Sequence, residues 1–340
     1  MRRVIWGLLE QDPGILVVGS AVDGLDAVDK VRELRPDVVT LDVEMPRLDG
    51  LQTLGYLMSE HPVACVMLSA YTPRGAETTL KALDYGAVDF IQKPSGALSL
   101  DMERVRDELL AKVKVASSID LKRLAFRPGG ARASGGASAA KPLRRGALGA
   151  DRGGVVAIGT STGGPRALGV LIPALPADLA APVVVVQHMS AGFTRSLAER
   201  LDRESRLRVK EAEAGEPLEA GVVYFAPGDW HLSVERSLTG ARVRLDQRPP
   251  MLGVRPCVDV LFQSVAEVYG ANAVGVVLTG MGRDGTRGLR AMKEAKARVI
   301  AQDEATSVVY GMPRAAALSG CVDRVLPLDQ VAGAIVEMLP

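Results

Sequence analysis

The chain has 340 residues, enough for two domains that each bury a core. A hydrophobic fraction of 47% with a net charge of +1 describes a globular protein and excludes the excess positive charge of a nucleic-acid binder. Aromatic residues make up 4%, too few for a base-stacking platform. Cys65, Cys257 and Cys321 have no metal-ligand spacing, which fits a reducing cytoplasm without disulfides. No apolar run reaches the ~18 residues of a membrane span, so an integral membrane protein is not expected.

The opening MRRVIWGLLEQDPG reads as an amphipathic helix without a signal-type cleavage site. ILVVGS (15–20) then predicts a strand, and 25–34 a helix. DVVTLD (37–42) is a strand ending in an acid, MPRLDG a turn, and 51–58 a helix. VACVMLSA (63–70) predicts a strand, 76–85 a helix, AVDFIQKP (87–94) a strand and 100–115 a last amphipathic helix. This alternation predicts a doubly wound parallel sheet, in which ligands bind at the carboxyl ends of the strands. Asp42, Ser69 and Lys93 each fall at such an end. A carboxylate there can form an acyl phosphate, and a cation beside it stabilises the spread charge.

LDVEMPRLDG and the strand-end Asp42, Ser69 and Lys93 resemble the receiver domain of two-component response regulators, over residues 1–115. The resemblance implies that Asp42 accepts a phosphoryl group, that Ser69 is the switch hydroxyl and that Lys93 contacts the phosphoryl oxygens. A receiver also begins with a strand ending in an acidic pair that holds Mg²⁺. Here that strand and pair are missing; Asp12 falls after the first helix, and only Asp42 remains as a metal ligand. The expectation is that Met1 is an internal methionine of a longer chain, the alternative being a receiver that no longer switches.

Residues 116–151 are rich in Gly, Ala, Ser and Arg without apolar periodicity, and read as a flexible basic linker. A basic nucleic-acid arm is the weaker reading, since the arginines are sparse. A second α/β domain follows, over 152–340. VVAIGTSTGGPRAL (155–168) is a buried strand, a tight Gly-rich turn and a helix with Pro165 in its first turn. The G-x-S-x-G run places Ser161 at the apex of a nucleophile elbow; taken alone, the turn also suits a phosphate. Buried strands follow at 183–186, ending near His188, and at 222–226. Residues 228–234 and 243–245 predict a small antiparallel patch. Helices are expected over 193–201, 258–269, 286–295, from Pro313 and over 330–338, with strands at 273–278 and from Arg298.

A general base must reach the Ser161 hydroxyl. Of the three histidines, His61 lies at the wrong end of a strand in the other domain, and His231 reads as a surface hairpin residue. His188 ends a valine strand at the sheet end of Ser161. Asp284, in the Gly-rich loop after another buried strand, suits the carboxylate that orients the imidazole. Backbone N–H groups of Thr162 and Met281 are the candidate oxyanion donors. The order Ser–His–Asp differs from the Ser–Asp–His of α/β-hydrolases and points to convergence.

IGTSTGG, QHM, APGDWH, RPCVDVLFQSVA, LTGMGRDG and GMPRAA together resemble the C-terminal domain of the chemotaxis protein-glutamate methylesterases, the CheB family, over nearly all of 154–340. The resemblance implies hydrolysis of glutamate γ-methyl esters on methyl-accepting chemotaxis receptors, and deamidation of receptor glutamines. It implies Ser161, His188 and Asp284 as the triad, with no cofactor for hydrolysis. It further implies activation through Asp42 by the chemotaxis histidine kinase, with Mg²⁺ as the receiver's usual cofactor. Arg283, beside Asp284, reads as a solvated loop residue.

Overall fold

The structure, a computed structural model, describes residues 1–70, 72–93, 99–121, 153–238 and 240–340. Most of the expected linker, 122–151, lies outside the described residues, as does Pro94. The chain divides into two compact units, Met1–Ala125 and Phe126–Pro340.

The first unit runs α1 (Arg2–Leu9), α2 (Gly24–Leu34), β1 (Val38–Asp42), α3 (Gly50–Glu60), β2 (Ala64–Ser69), α4 (Pro73–Asp84), β3 (Asp89–Gln92) and α5 (Ser99–Ser117). Local chemistry sets these ends. Asp23 caps α2 by accepting from the Leu25 and Asp26 N–H groups, and Asp49 forms a reciprocal capping box with Gln52 at the start of α3. The sheet has three parallel strands in the order β1-β2-β3. β2 lies between two neighbours and is buried along its whole length.

Residues 15–20 do not form the expected strand. Leu16 is 85% and Val18 47% exposed, and no described strand pairs with this segment. An apolar run becomes a strand only when its backbone N–H and C=O groups find a ladder.

The second unit continues with β4 (Val155–Thr160), α6 (Gly164–Ala174), β5 (Val183–Gln187), α7 (Phe193–Glu204), β6 (Arg208–Glu211), β7 (Val222–Phe225), β8 (His231–Ser237) and β9 (Gly240–Asp246). It ends with α8 (Val258–Tyr269), β10 (Ala273–Val277), α9 (Thr286–Glu294), β11 (Arg298–Gln302), α10 (Met312–Leu318), β12 (Arg324–Leu326) and α11 (Leu328–Met338). Seven parallel strands are ordered β12-β11-β10-β4-β5-β7-β6, and β8 and β9 form a separate antiparallel hairpin.

Both faces of the sheet are covered. Val155, Ala157, Val184 and Val186 join Leu261, Phe262 and Val265 of α8 in one cluster, and the alternate Val156, Ile158, Val183 and Val185 are equally buried. Continuous valine runs suit strands covered on both sides, and each such side chain contributes about 1.5–3 kcal/mol by leaving water. The chain order reverses at β4, whose neighbours are β5 on one side and β10 on the other. Crevices outside the carboxyl ends of strands at such a switch point are where open α/β sheets bind ligands.

Candidate active site

Ser161, His188 and Asp284 follow β4, β5 and β10, three adjacent parallel strands, and so share one edge of the sheet. The elbow is held from several sides. The Ser161 N–H donates to Thr279 O at 3.0 Å, and the Gly164 N–H donates to Ser161 O at 2.8 Å. Thr160 Oγ1 also donates to Thr279 O, at 2.9 Å, while Thr279 Oγ1 donates to Thr162 O at 2.9 Å. Ser161 is half-buried, and its Oγ forms no hydrogen bond among the described residues.

His188 Nε2 lies 2.8 Å from Asp284 Oδ2, with the imidazole 11% and the carboxylate 4% exposed. Nε2 therefore donates to the carboxylate, and Nδ1 keeps the lone pair that can accept a proton.

Asp284 sits at the N-terminus of α8. It accepts the N–H groups of Val258 at 2.6 Å and Asp259 at 2.9 Å, and that of Gly285 at 2.8 Å. Cys257, at the N-cap of α8, makes no cap of its own. Its thiol instead donates to Asp284 Oδ1 at 3.1 Å. The Asp284 carboxylate thus caps the helix from a distant loop and meets the positive end of its dipole. Burial pushes its pKa up, but the His188 bond and charge and the Val258 and Asp259 N–H groups outweigh burial and pull it down to about 2. The same neighbourhood acts oppositely on other groups. Burial and the Asp284 charge raise the Cys257 thiol. Burial raises Asp259, whose carboxylate accepts the Gly288 N–H at 2.7 Å.

Of the two candidate oxyanion donors, Met281 follows Gly280, which packs directly on the serine. A Cβ on Gly280 would stand 2.8 Å from Ser161 Cβ and 2.5 Å from Met312 Sδ, so only glycine permits this approach. The Met281 N–H donates to no described acceptor. Thr162 is the residue after the nucleophile and is buried.

The other histidines lie elsewhere. His61 is the exposed C-cap of α3. His231, expected at a hairpin surface, is fully buried; one ring nitrogen faces Pro249 O at 3.2 Å. The 247–256 loop covers it, because Arg255 ties Asp229 to the carbonyls of Gln247 and Arg248. Arg283 is exposed.

In the first unit, Lys93 Nζ lies 2.6 Å from both carboxylate oxygens of Asp42. The Ser69 hydroxyl does not join them. It is fully buried, accepts from Thr79 Oγ1 at 2.7 Å and donates to Gly75 O at 3.3 Å. Asp12 pairs with Lys114. Among the described residues no three His, Cys, Asp or Glu side chains gather into a metal site. Asp42 is one carboxylate already neutralised by an ammonium, so the residues described do not fit Mg²⁺, which calls for more oxygen donors.

Residues 156–335 match the CheB methylesterase family model. The chain belongs to the CheB methylesterase family. Residues 1–103 match the response regulator receiver domain. A protein-glutamate methylesterase/protein-glutamine glutaminase of Geobacillus kaustophilus strain HTA426 is 48% identical, covering 100% of this chain and 95% of that protein. One of the same name from Symbiobacterium thermophilum is 51% identical over 98% and 93%. The crystal structure of the Thermotoga maritima CheB methylesterase catalytic domain is 46% identical with a TM-score of 0.54, covering 55% of this chain and 99% of that one. Among the described residues of this CheB-family chain, no helix is long and apolar enough to cross a membrane.

Reading the sequence alone missed the groups that support the three side chains: Thr279, Cys257, the α8 N-terminus and Gln187. A helix start right after RPC was visible. That it points at Asp284 depends on the packing of α8 against β4 and β10.

Proposed function

We propose that this chain hydrolyses the γ-methyl esters of glutamate side chains on methyl-accepting chemotaxis receptors, releasing methanol, and deamidates receptor glutamines by the same attack. Ser161 Oγ attacks the ester carbonyl carbon while His188 Nδ1 takes its proton. The carbonyl π pair moves onto oxygen, and the N–H groups of Thr162 and Met281 stabilise that charge. Collapse re-forms the carbonyl and breaks the bond to the methoxy oxygen, which takes the imidazolium proton and leaves as methanol. Water then attacks the acyl-serine, His188 accepts its proton, and the glutamate carboxylate departs as Ser161 recovers its own. With glutamine the first leaving group is ammonia. Asp284 holds Nε2–H and offsets the charge of the imidazolium.

The observation that carries this reading is the 2.8 Å His188–Asp284 pair, formed by residues that follow the two strands flanking the strand of Ser161. Ser161→Ala should reduce methanol release from methylated receptor membranes by at least about 10⁴-fold while leaving the heat-unfolding midpoint in place. Release at the wild-type rate from that variant would refute the assignment.

Asp42, paired with Lys93, is the acceptor for a phosphoryl group from the chemotaxis histidine kinase. Such a kinase and the cytoplasmic segments of receptors imply a cytoplasmic protein.

A further inference from the structure

Gln187 is the last residue of β5, directly opposite Thr160 of β4, and is 2% exposed. Its Nε2 donates to Ser161 O at 3.0 Å and to His188 O at 3.0 Å. Among the described residues no other side chain hydrogen-bonds the backbones of both. Its Oε1 is buried and has no hydrogen-bond partner. The amide also lies tight against the start of α6, where a Cβ on Gly164 would stand 1.9 Å from Oε1.

An apolar side chain of the same length would fill this space without the desolvation cost of burying an unpaired oxygen. What the amide supplies instead is a bridge. Ser161 and His188 lie just past the paired residues of β4 and β5; one main-chain bond, from the His188 N–H to Thr160 O at 3.1 Å, reaches this far, and among the described residues none joins the Ser161 main chain to that of β5 or His188. One NH₂ group spans both carbonyls and fixes the separation of the two residues. Ser161 Oγ makes no hydrogen bond among the described residues, so its approach to His188 Nδ1 is set by rotation of its own side chain and by the main-chain positions that the bridge holds.

We infer that Gln187 is a positioning residue, which sets the distance between the Ser161 nucleophile and the His188 base by clamping both main chains. This rests on the triad reading above. It adds a requirement that the triad alone does not carry: turnover, rather than substrate affinity, depends on a group that touches neither substrate nor the reacting atoms.

The full chain with methylated receptor membranes supplies the test, using Gln187→Met, Gln187→Glu and, as control, Ser161→Ala. Gln187→Met keeps the volume and removes the donor. Its kcat should fall about 10- to 100-fold with KM changed less than about twofold. Gln187→Glu replaces the NH₂ by an oxygen. The ionised acid repels both carbonyls, and burial raises its pKa, so protonation restores a single donor. The ratio of its kcat to that of the wild type should therefore rise about tenfold as pH falls from about 8 to about 5.5.

Wild-type kcat in Gln187→Met, a loss confined to KM, or a Gln187→Glu deficit that does not vary with pH would each overturn the inference. Should Gln187→Met not fold, the pH dependence of the Gln187→Glu ratio decides. Wild-type turnover in Ser161→Ala would instead overturn the triad reading itself, so the two failures are told apart.

Discussion

The two sheets are made from similar sequence but reach different completeness. In the second unit every valine-rich run finds a neighbour, and β4 is flanked by β5 and β10. In the first, ILVV at 15–18 is as apolar as many of those runs, yet it lies outside any sheet and leaves Leu16 in water. The functional ends differ in step. Asp284 collects a histidine, a thiol and three backbone N–H groups. Asp42 has the Lys93 ammonium and the Glu44 N–H. A complete sheet brings loops from several strands together, and that convergence tunes a carboxylate.

Of the effects that bear on the contrast between the two carboxylates, the largest is expected at Asp284. Asp284→Asn removes the acceptor that orients Nε2–H and should lower kcat by about 10³- to 10⁴-fold in a methanol-release assay. A tenfold loss or less would show that the convergence around Asp284 is structural only. The same variant has a pH signature. The folded pKa of Asp284 lies below its unfolded value, so its stabilisation is full above pH ~4 and disappears as pH falls toward about 2. The stability gap between wild type and Asp284→Asn, measured by denaturant unfolding, should narrow by about 2 kcal/mol over that interval. A constant gap would contradict the low pKa.

The strands can be compared directly. Val185→Ala in β5 should cost about 2 kcal/mol, since Val185 is fully buried. Val18→Ala should change stability by less than about 0.5 kcal/mol. Equal costs would mean that residues 15–20 are paired in solution.

How much was legible depended on where each signal is stored. Ser161 was readable because an elbow is local: strand, glycines and helix lie within one stretch. His188 and Asp284 were readable as strand-end residues. The strands β6 and β12 were not, because RVKE and RVL carry no apolar run and each is held by a single neighbour at the edge of the sheet. His231 was misplaced for a related reason. Alternation in GDWHLSV suggested a hairpin but not the 247–256 loop that closes over it.

By itself, the sequence determined the α/β alternation, the elbow at Ser161 and the set of side chains able to do acyl-transfer chemistry. These follow from periodicity and backbone sterics, which act over a few residues. Only the tertiary structure decided which imidazole nitrogen faces Asp284, that the start of α8 holds that carboxylate ionised, and that Gln187 ties Ser161 to His188. Each depends on hydrogen bonds between groups from 25 to 96 residues apart. The same holds for the segment at 15–20, whose apolar pattern is local but whose ladder has to come from another part of a sheet.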